Sequence, residues 1–159
     1  MNIRLMRAAD LAAVSEIDQL SFSLPWPVGA FAVELANPNA RCWVAETSSS
    51  PDPSGKPRVV AALVNWLVLD ECHVATIAVH PDFRRQGIAR LLLQTGLQAA
   101  YAEGSRIFYL EVRAANLAAQ QMYLDFGFAV VGRRTKYYKD NGEDALLMTL
   151  DLTQAGSGQ

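Results

Sequence analysis

A carboxylate inside an apolar strand and a pair of arginines just ahead of a glycine are the two places where this chain could do chemistry. The carboxylate is Glu111 in IFYLEV, residues 107 to 112. Strand alternation sets it on one face with Ile107, Tyr109 and Arg113. A carboxylate there is costly unless paired, and partial burial would raise its pKa towards the range of a general base. A Glu111–Arg113 pair on a half-exposed face is an equally weighted alternative. The arginines lie in Arg84-Arg85-Gln86-Gly87, between the apolar Ile77-Ala78-Val79 and a leucine-rich run from Ile88 to Leu93. A helix starting there leaves its first amides unpaired and carries about half a positive charge. Gly87 lets an anion approach the backbone closely. The stretch therefore reads as a phosphate cradle, against a surface turn with solvated arginines. It is neither a GxxxxGK[ST] nor a GxGxxG loop.

The elements that must position these groups follow from hydrophobic period. Ile3–Met6 reads as a strand, and Asp10–Phe22 as a helix with Leu11, Val14, Ile17 and Asp18 at helical spacing. FSLPWP breaks the chain at Pro25 and Pro27. Ala30–Ala36 is a short helix closed by Asn37-Pro38-Asn39, and Cys42–Glu46 a strand. SSSPDPSGKP, residues 48 to 57, is a polar hairpin loop. Val59–Leu69 and Val74–Val79 are strands turning at Asp70–Glu71. A helix from about Gln86 carries Ile88, Leu91, Leu92 and Ala99 on one face. Ile107–Val112 is a strand, followed by a helix over Asn116–Phe126 striped by Ala119, Met122, Tyr123 and Phe126. Asn116 is its N-cap and Gly127 its stop. On that stripe alone Tyr123 is a core aromatic. Val130–Tyr138 and Ala145–Asp151 form a closing hairpin. The pattern is one α/β layered domain over residues 1 to 153, with a short tail over 154 to 159.

Bulk properties narrow the classes of function. The chain has 159 residues, 51% hydrophobic, with a formal net charge of −2. That balance argues against a nucleic-acid binder, which shows a basic face. Cys42 and Cys72 lack CxxC or Cys/His ligand spacing. His73 next to Cys72 reads as a strand neighbour on the opposite face, so no metal is expected. The cysteines read as reduced core residues, which suits a cytoplasmic protein. Met1–Arg7 lacks the apolar run of a signal peptide, and no apolar segment approaches a membrane span.

Arg84-Arg85-Gln86-Gly87-Ile88-Ala89 resembles the [Q/R]xxGx[G/A] signature of the GNAT superfamily of N-acetyltransferases, and it follows the fourth strand as it does in that family. The resemblance implies a GNAT fold, with a mixed sheet of about six to seven strands flanked by about four helices. It implies acetyl-CoA as acetyl donor, with its pyrophosphate on Arg84, Arg85, Gln86, Gly87, Ile88, Ala89 and Arg90 and its pantetheine arm along Ile77, Ala78 and Val79. LEVRAANLAAQQMYLDFGF (110 to 128), IAV, FSLPW and YYKDNGEDALLM are similar to the RimI-like subgroup, which acetylates the N-terminal alanine of ribosomal proteins. Two departures stand out: Ala89 replaces a frequent glycine, and the 48–57 loop is long.

By that resemblance Glu111 is the general base, Tyr123 the general acid, and Asn116 a cofactor hydrogen-bonding residue. Phe22, Pro25, Trp26, Tyr137 and Tyr138 flank the acceptor, the N-terminal segment of a ribosomal protein. A phenol with a pKa near ~10 is protonated at neutral pH and can donate to a thiolate whose thiol has one near ~8.5. An α-amine with a pKa of about 8 is roughly a tenth free base at pH 7, while lysine at about 10.4 is almost wholly protonated. One modest carboxylate base suits the α-amine better. The alternatives are a GNAT enzyme acting on lysine or a small amine, and a silent acyl-CoA-binding module.

Overall fold

The computed structural model describes residues 1 to 153; the expected tail over 154 to 159 lies outside the described residues. Among these, seven strands and four helices follow in the order β1 (Asn2–Leu5), α1 (Leu11–Ser21), α2 (Ala30–Ala36), β2 (Ala40–Thr47), β3 (Arg58–Val68), β4 (Glu71–Val79), α3 (Ile88–Ala102), β5 (Ile107–Arg113), α4 (Leu117–Asp125), β6 (Ala129–Arg134) and β7 (Ala145–Asp151). The strands form one mixed sheet in the hydrogen-bonded order β1-β2-β3-β4-β5-β7-β6. Seven strands in a mixed sheet with four helices agree with the GNAT fold that the resemblance implied. Single 3-10 turns at Ala8–Asp10 and Pro81–Phe83 were not legible in the sequence.

Two compact units divide the chain. The first comprises Met1–Trp66 and Ala75–Ala99. Within it β1, β2 and β3 are successively antiparallel, with Val44 opposite Arg4 on one side and Ala62 on the other. Met6, Val14, Phe31, Cys42, Val44, Ala62 and Val64 form a buried cluster. Helix α3 approaches β3 so closely at Gly96 that a β-carbon there would stand 2.4 Å from the Leu63 Cδ2. Leu63 is itself fully buried and has no room to yield. The inner face of α3 is Ile88, Leu92, Leu93, Gly96 and Leu97, whereas Leu91, expected on that face, is 40% exposed.

The second unit comprises Leu67–Val74 and the chain from Ala100 onward. Here β4 runs parallel to β5, with Cys72 opposite Phe108 and His73 opposite Tyr109. The Asp70 carbonyl accepts from the Arg106 and Ile107 amides and so fixes where that ladder begins. The connection before β4 turns through Leu69, whose φ is 54°, one residue earlier than the expected Asp70–Glu71 turn. Strand β5 is antiparallel to β7 along its whole length, and β6 pairs with β7 through a bulge at Val130/Gly132. Phe108, Leu110 and Val112 are buried, and the odd-numbered residues of β5 occupy the other face. Cys42 and Cys72 are free and buried; burial pushes their thiols up to about 11 and about 12.

Candidate active site

The cradle lies in the first unit. Ile77, Ala78 and Val79 end β4, and α3 starts at Ile88 rather than near Gln86. The reason is local: Arg85 and Gly87 have φ values of 61° and 77°, which no right-handed helix accommodates. A left-handed conformation costs an arginine roughly 1–2 kcal/mol. Strain of this kind concentrates at ligand sites. Gly87 is open, with no atom within 4 Å of where a β-carbon would stand. Its glycine is therefore required by φ and leaves the approach to the α3 N-terminus free. Arg84, Arg85, Gln86 and Arg90 are exposed, Ala89 is half-buried and Ile88 is core. Arg84 also has structural partners: its Nε donates to the Val79 carbonyl (3.0 Å) and its Nη2 to the Ser21 hydroxyl (3.2 Å). It thus braces the end of β4 against α1. An open helix N-terminus with exposed guanidinium groups and a glycine approach fits a pyrophosphate.

The Phe22–Trp26 loop is in the same unit and is hung from α1. Asp18, buried and 3% exposed, accepts the Trp26 amide at 2.7 Å. Burial raises the Asp18 pKa against the opposing effect of that hydrogen bond. Trp26 packs inward, stacked on Phe31 at 4.8 Å and on Trp66 at 6.2 Å, and the Trp66 indole donates to the Glu34 carboxylate. Phe22 and Pro25 are exposed. One loop therefore offers two surface residues and one packing anchor.

Glu111 lies in the second unit, and its partner is neither Arg113 nor bulk water. The His73 Nε2 is 2.7 Å from its Oε2, and the His73 ring stacks on Tyr109 with centroids 4.6 Å apart and planes 5° from parallel. The hydrogen bond from His73 lowers the Glu111 pKa, overcoming partial burial, with Arg134 adding to the effect. The expectation of a raised carboxylate is thereby corrected: Glu111 is ionised throughout the neutral range. The Glu111–Arg113 alternative is corrected as well, since the Arg113 guanidinium binds Asp140 and Glu143 at 2.8 and 3.1 Å.

Tyr123 is buried in α4, 5.7 Å from the Phe128 ring, and burial pushes its pKa up to about 12. It holds its proton at any physiological pH. Asn116 caps α4 as expected, accepting the Ala119 amide at 3.1 Å. Tyr137 and Tyr138 meet edge to face at 5.1 Å. They sit beyond β6, which ends at Arg134 rather than Tyr138. Sequence reasoning missed His73, and its one signal was an imidazole facing away from the buried Cys72. Among the described residues no group of His, Cys, Asp or Glu could hold a metal ion. None of their helices is long and apolar enough to cross a membrane.

A strand leading into an open helix N-terminus, on a mixed sheet of this order, is the arrangement that the resemblance to the GNAT superfamily implies. Residues 11–128 match the Acetyltransferase (GNAT) family, and the chain belongs to it. Within that family the likeness is to RimI-like enzymes. The chain is 33% identical over 153 residues to the [ribosomal protein bS18]-alanine N-acetyltransferase of Escherichia coli K12, covering 95% of this chain and 97% of that protein. It is 35% identical over 156 residues to the N-alpha-acetyltransferase RimI of Mycobacterium tuberculosis, covering 95% and 92% respectively. The crystal structure of the E. coli ribosomal-protein-S18-alanine N-acetyltransferase matches with a TM-score of 0.84 and 31% identity, over 99% of this chain and 97% of that one. Arabidopsis thaliana NAA60 in complex with acetyl-CoA shares the fold, with a TM-score of 0.86 at 20% identity over 95% and 98% of the two chains.

Proposed function

We propose that this protein transfers the acetyl group of acetyl-CoA to the N-terminal α-amine of a protein beginning with alanine, with ribosomal protein bS18 as acceptor. The observation that carries the reading is the end-to-end likeness, in sequence and backbone, to the E. coli enzyme of that specificity. Acetyl-CoA lies with its pyrophosphate on the Arg84–Arg90 segment and its pantetheine arm along Ile77–Val79, with Asn116 as a further donor. The acceptor is flanked by Phe22 and Pro25, with Trp26 anchoring their loop, and by Tyr137 and Tyr138. The reaction takes place in the cytoplasm.

Glu111 accepts a proton from the α-ammonium group, and the freed amine attacks the thioester carbonyl. Because His73 keeps Glu111 ionised, the carboxylate is in its accepting form at every neutral pH. An ordinary α-amine, with a pKa near ~8, needs only this modest help. As the C–S bond breaks, Tyr123 donates its phenolic proton to the departing thiolate, and the second proton of the attacking nitrogen, released as the amide forms, is returned to the phenol through solvent. Burial makes the phenol a weaker acid, but a thiolate expelled into apolar surroundings is desolvated too and gains proton affinity in the same direction.

The test is thiol release from acetyl-CoA with three acceptors: an alanine-initiated peptide of bS18 sequence, an internal-lysine peptide and a polyamine. Turnover is expected on the first alone. Preference for either of the others would move the enzyme to a different acceptor class, and release from none would make it a binding module.

A further inference from the structure

Arg113 closes β5 two residues beyond Glu111, and its guanidinium is turned towards the segment after β6. Its Nη1 and Nη2 bind the two oxygens of Asp140 at 3.2 and 2.8 Å, and Nη1 also reaches Glu143 at 3.1 Å. Its Cζ lies over the Tyr138 ring, 4.0 Å from the centroid. Glu143 carries the tie onward, since its other oxygen accepts the Ala115 amide at 2.7 Å, just ahead of α4. Between Arg133 and Asp144 no residue is buried. Lys136 is left-handed, with φ at 52°. Charge-assisted bonds therefore hold this segment where apolar burial would ordinarily do the work: Asp140 and Glu143 converge on Arg113, while Asp144 ties the β6 end through Arg133 at 2.6 Å and the Lys136 amide at 2.9 Å. With so little apolar burial, the stretch around Tyr138 and Asp140 opens at low cost when the Arg113 tie is lost.

We propose that Arg113 is a positioning residue that orders the Tyr137–Tyr138 segment before the acceptor peptide arrives. The proposal rests on the reading of those tyrosines as acceptor-flanking. Its physical content is preorganisation: a loop already fixed costs the incoming peptide less ordering. The planar fork suits the task, because it meets Asp140 through two bonds while stacking on Tyr138, which an ammonium group does not reproduce.

The experiment compares wild-type enzyme with Arg113→Met and Arg113→Lys in steady-state kinetics, together with hydrogen exchange over residues 136–144. Arg113→Met should raise the KM for an alanine-initiated peptide about tenfold, the scale of one lost charged hydrogen bond. The kcat and the KM for acetyl-CoA should stay within about twofold of wild type, because the effect acts through acceptor ordering alone. Exchange over 136–144 should quicken, and Arg113→Lys should recover only part of the loss. Faster exchange with unchanged peptide KM would overturn the proposal, as would equal rises in both KM values. A wild-type enzyme that ignores alanine-initiated peptides but acetylates another amine would refute the α-amine reading separately. The same comparison, run on that amine, then decides the role of Arg113 by the same two outcomes.

Discussion

The His73 Nε2 and the Glu111 Oε2 are 2.7 Å apart, joined across two parallel strands whose register sets His73 opposite Tyr109. The bond selects the ionised carboxylate, and the stack on Tyr109 fixes the plane of the ring that makes it.

Replacing His73 with Phe keeps an aromatic ring on Tyr109 and removes the hydrogen bond. Glu111 is then left half-buried with Arg134 as its remaining cationic influence and Tyr138 nearby as a neutral phenol. Its pKa rises, because desolvation favours the neutral acid and the largest opposing effect is gone. The acid limb of kcat/KM should therefore move to higher pH, with a larger loss at pH 6 than at pH 8. Superimposable pH profiles for the two proteins would remove His73 from the chemistry.

Glu111→Gln should bind acetyl-CoA normally and lose about 10²–10⁴-fold in turnover, the usual contribution of a positioned base. Part of the rate should return as pH rises through the pKa of the amine near ~8, since the free base then forms unaided. A near-normal rate at pH 7 would make Glu111 a structural partner of His73 only.

Tyr123→Phe preserves the ring in a buried position and deletes one hydroxyl. If that hydroxyl protonates the thiolate, single-turnover acetylation slows by about a hundredfold or more, with melting temperature and acetyl-CoA affinity little changed. Single-turnover conditions keep slow product release from masking the chemical step. A rate within about twofold of wild type would return Tyr123 to packing.

Gly87→Ala tests the cradle, with Gly55→Ala as its control. Both glycines are left-handed and open, at φ 77° and 84°, so alanine meets the same backbone penalty of about 1–2 kcal/mol in each. Only Gly87→Ala should raise the KM for acetyl-CoA, by at least about tenfold if the backbone of the turn shifts. Equal behaviour in the two variants would show that the glycine serves the turn and not the ligand.

Helix α2 was legible to the residue because Pro25, Pro27 and Gly29 precede it and Asn37-Pro38-Asn39 follows it. The α4 stripe was legible because its cap and its apolar spacing agree. Strand β6 was read too long: Tyr137 and Tyr138 look like strand residues, but Lys136 is left-handed and Arg113 draws the segment away from the sheet edge. Leu91 was assigned to the core because the run Leu91-Leu92-Leu93 offers two helical faces, and the close approach at Gly96 selects the other one. The partner of Glu111 was out of reach for a different reason. Arg113 shares its strand face and can be counted along the sequence, whereas His73 is brought to it by a parallel register that no local spacing encodes. The expected rise in pKa rests on burial alone, and the His73 hydrogen bond that outweighs burial could not be counted in.

The two buried cysteines have a practical side. Acetyl transfer liberates one thiol per turnover, and aromatic disulfide reagents report thiols by their reaction with thiolate. Cys42 and Cys72 are shielded from solvent, with thiols pushed up to about 11 and about 12, so at pH 8 they contribute almost no reactive anion. The folded enzyme is thus nearly silent in its own colorimetric assay, and any growing protein-derived signal marks unfolding rather than catalysis.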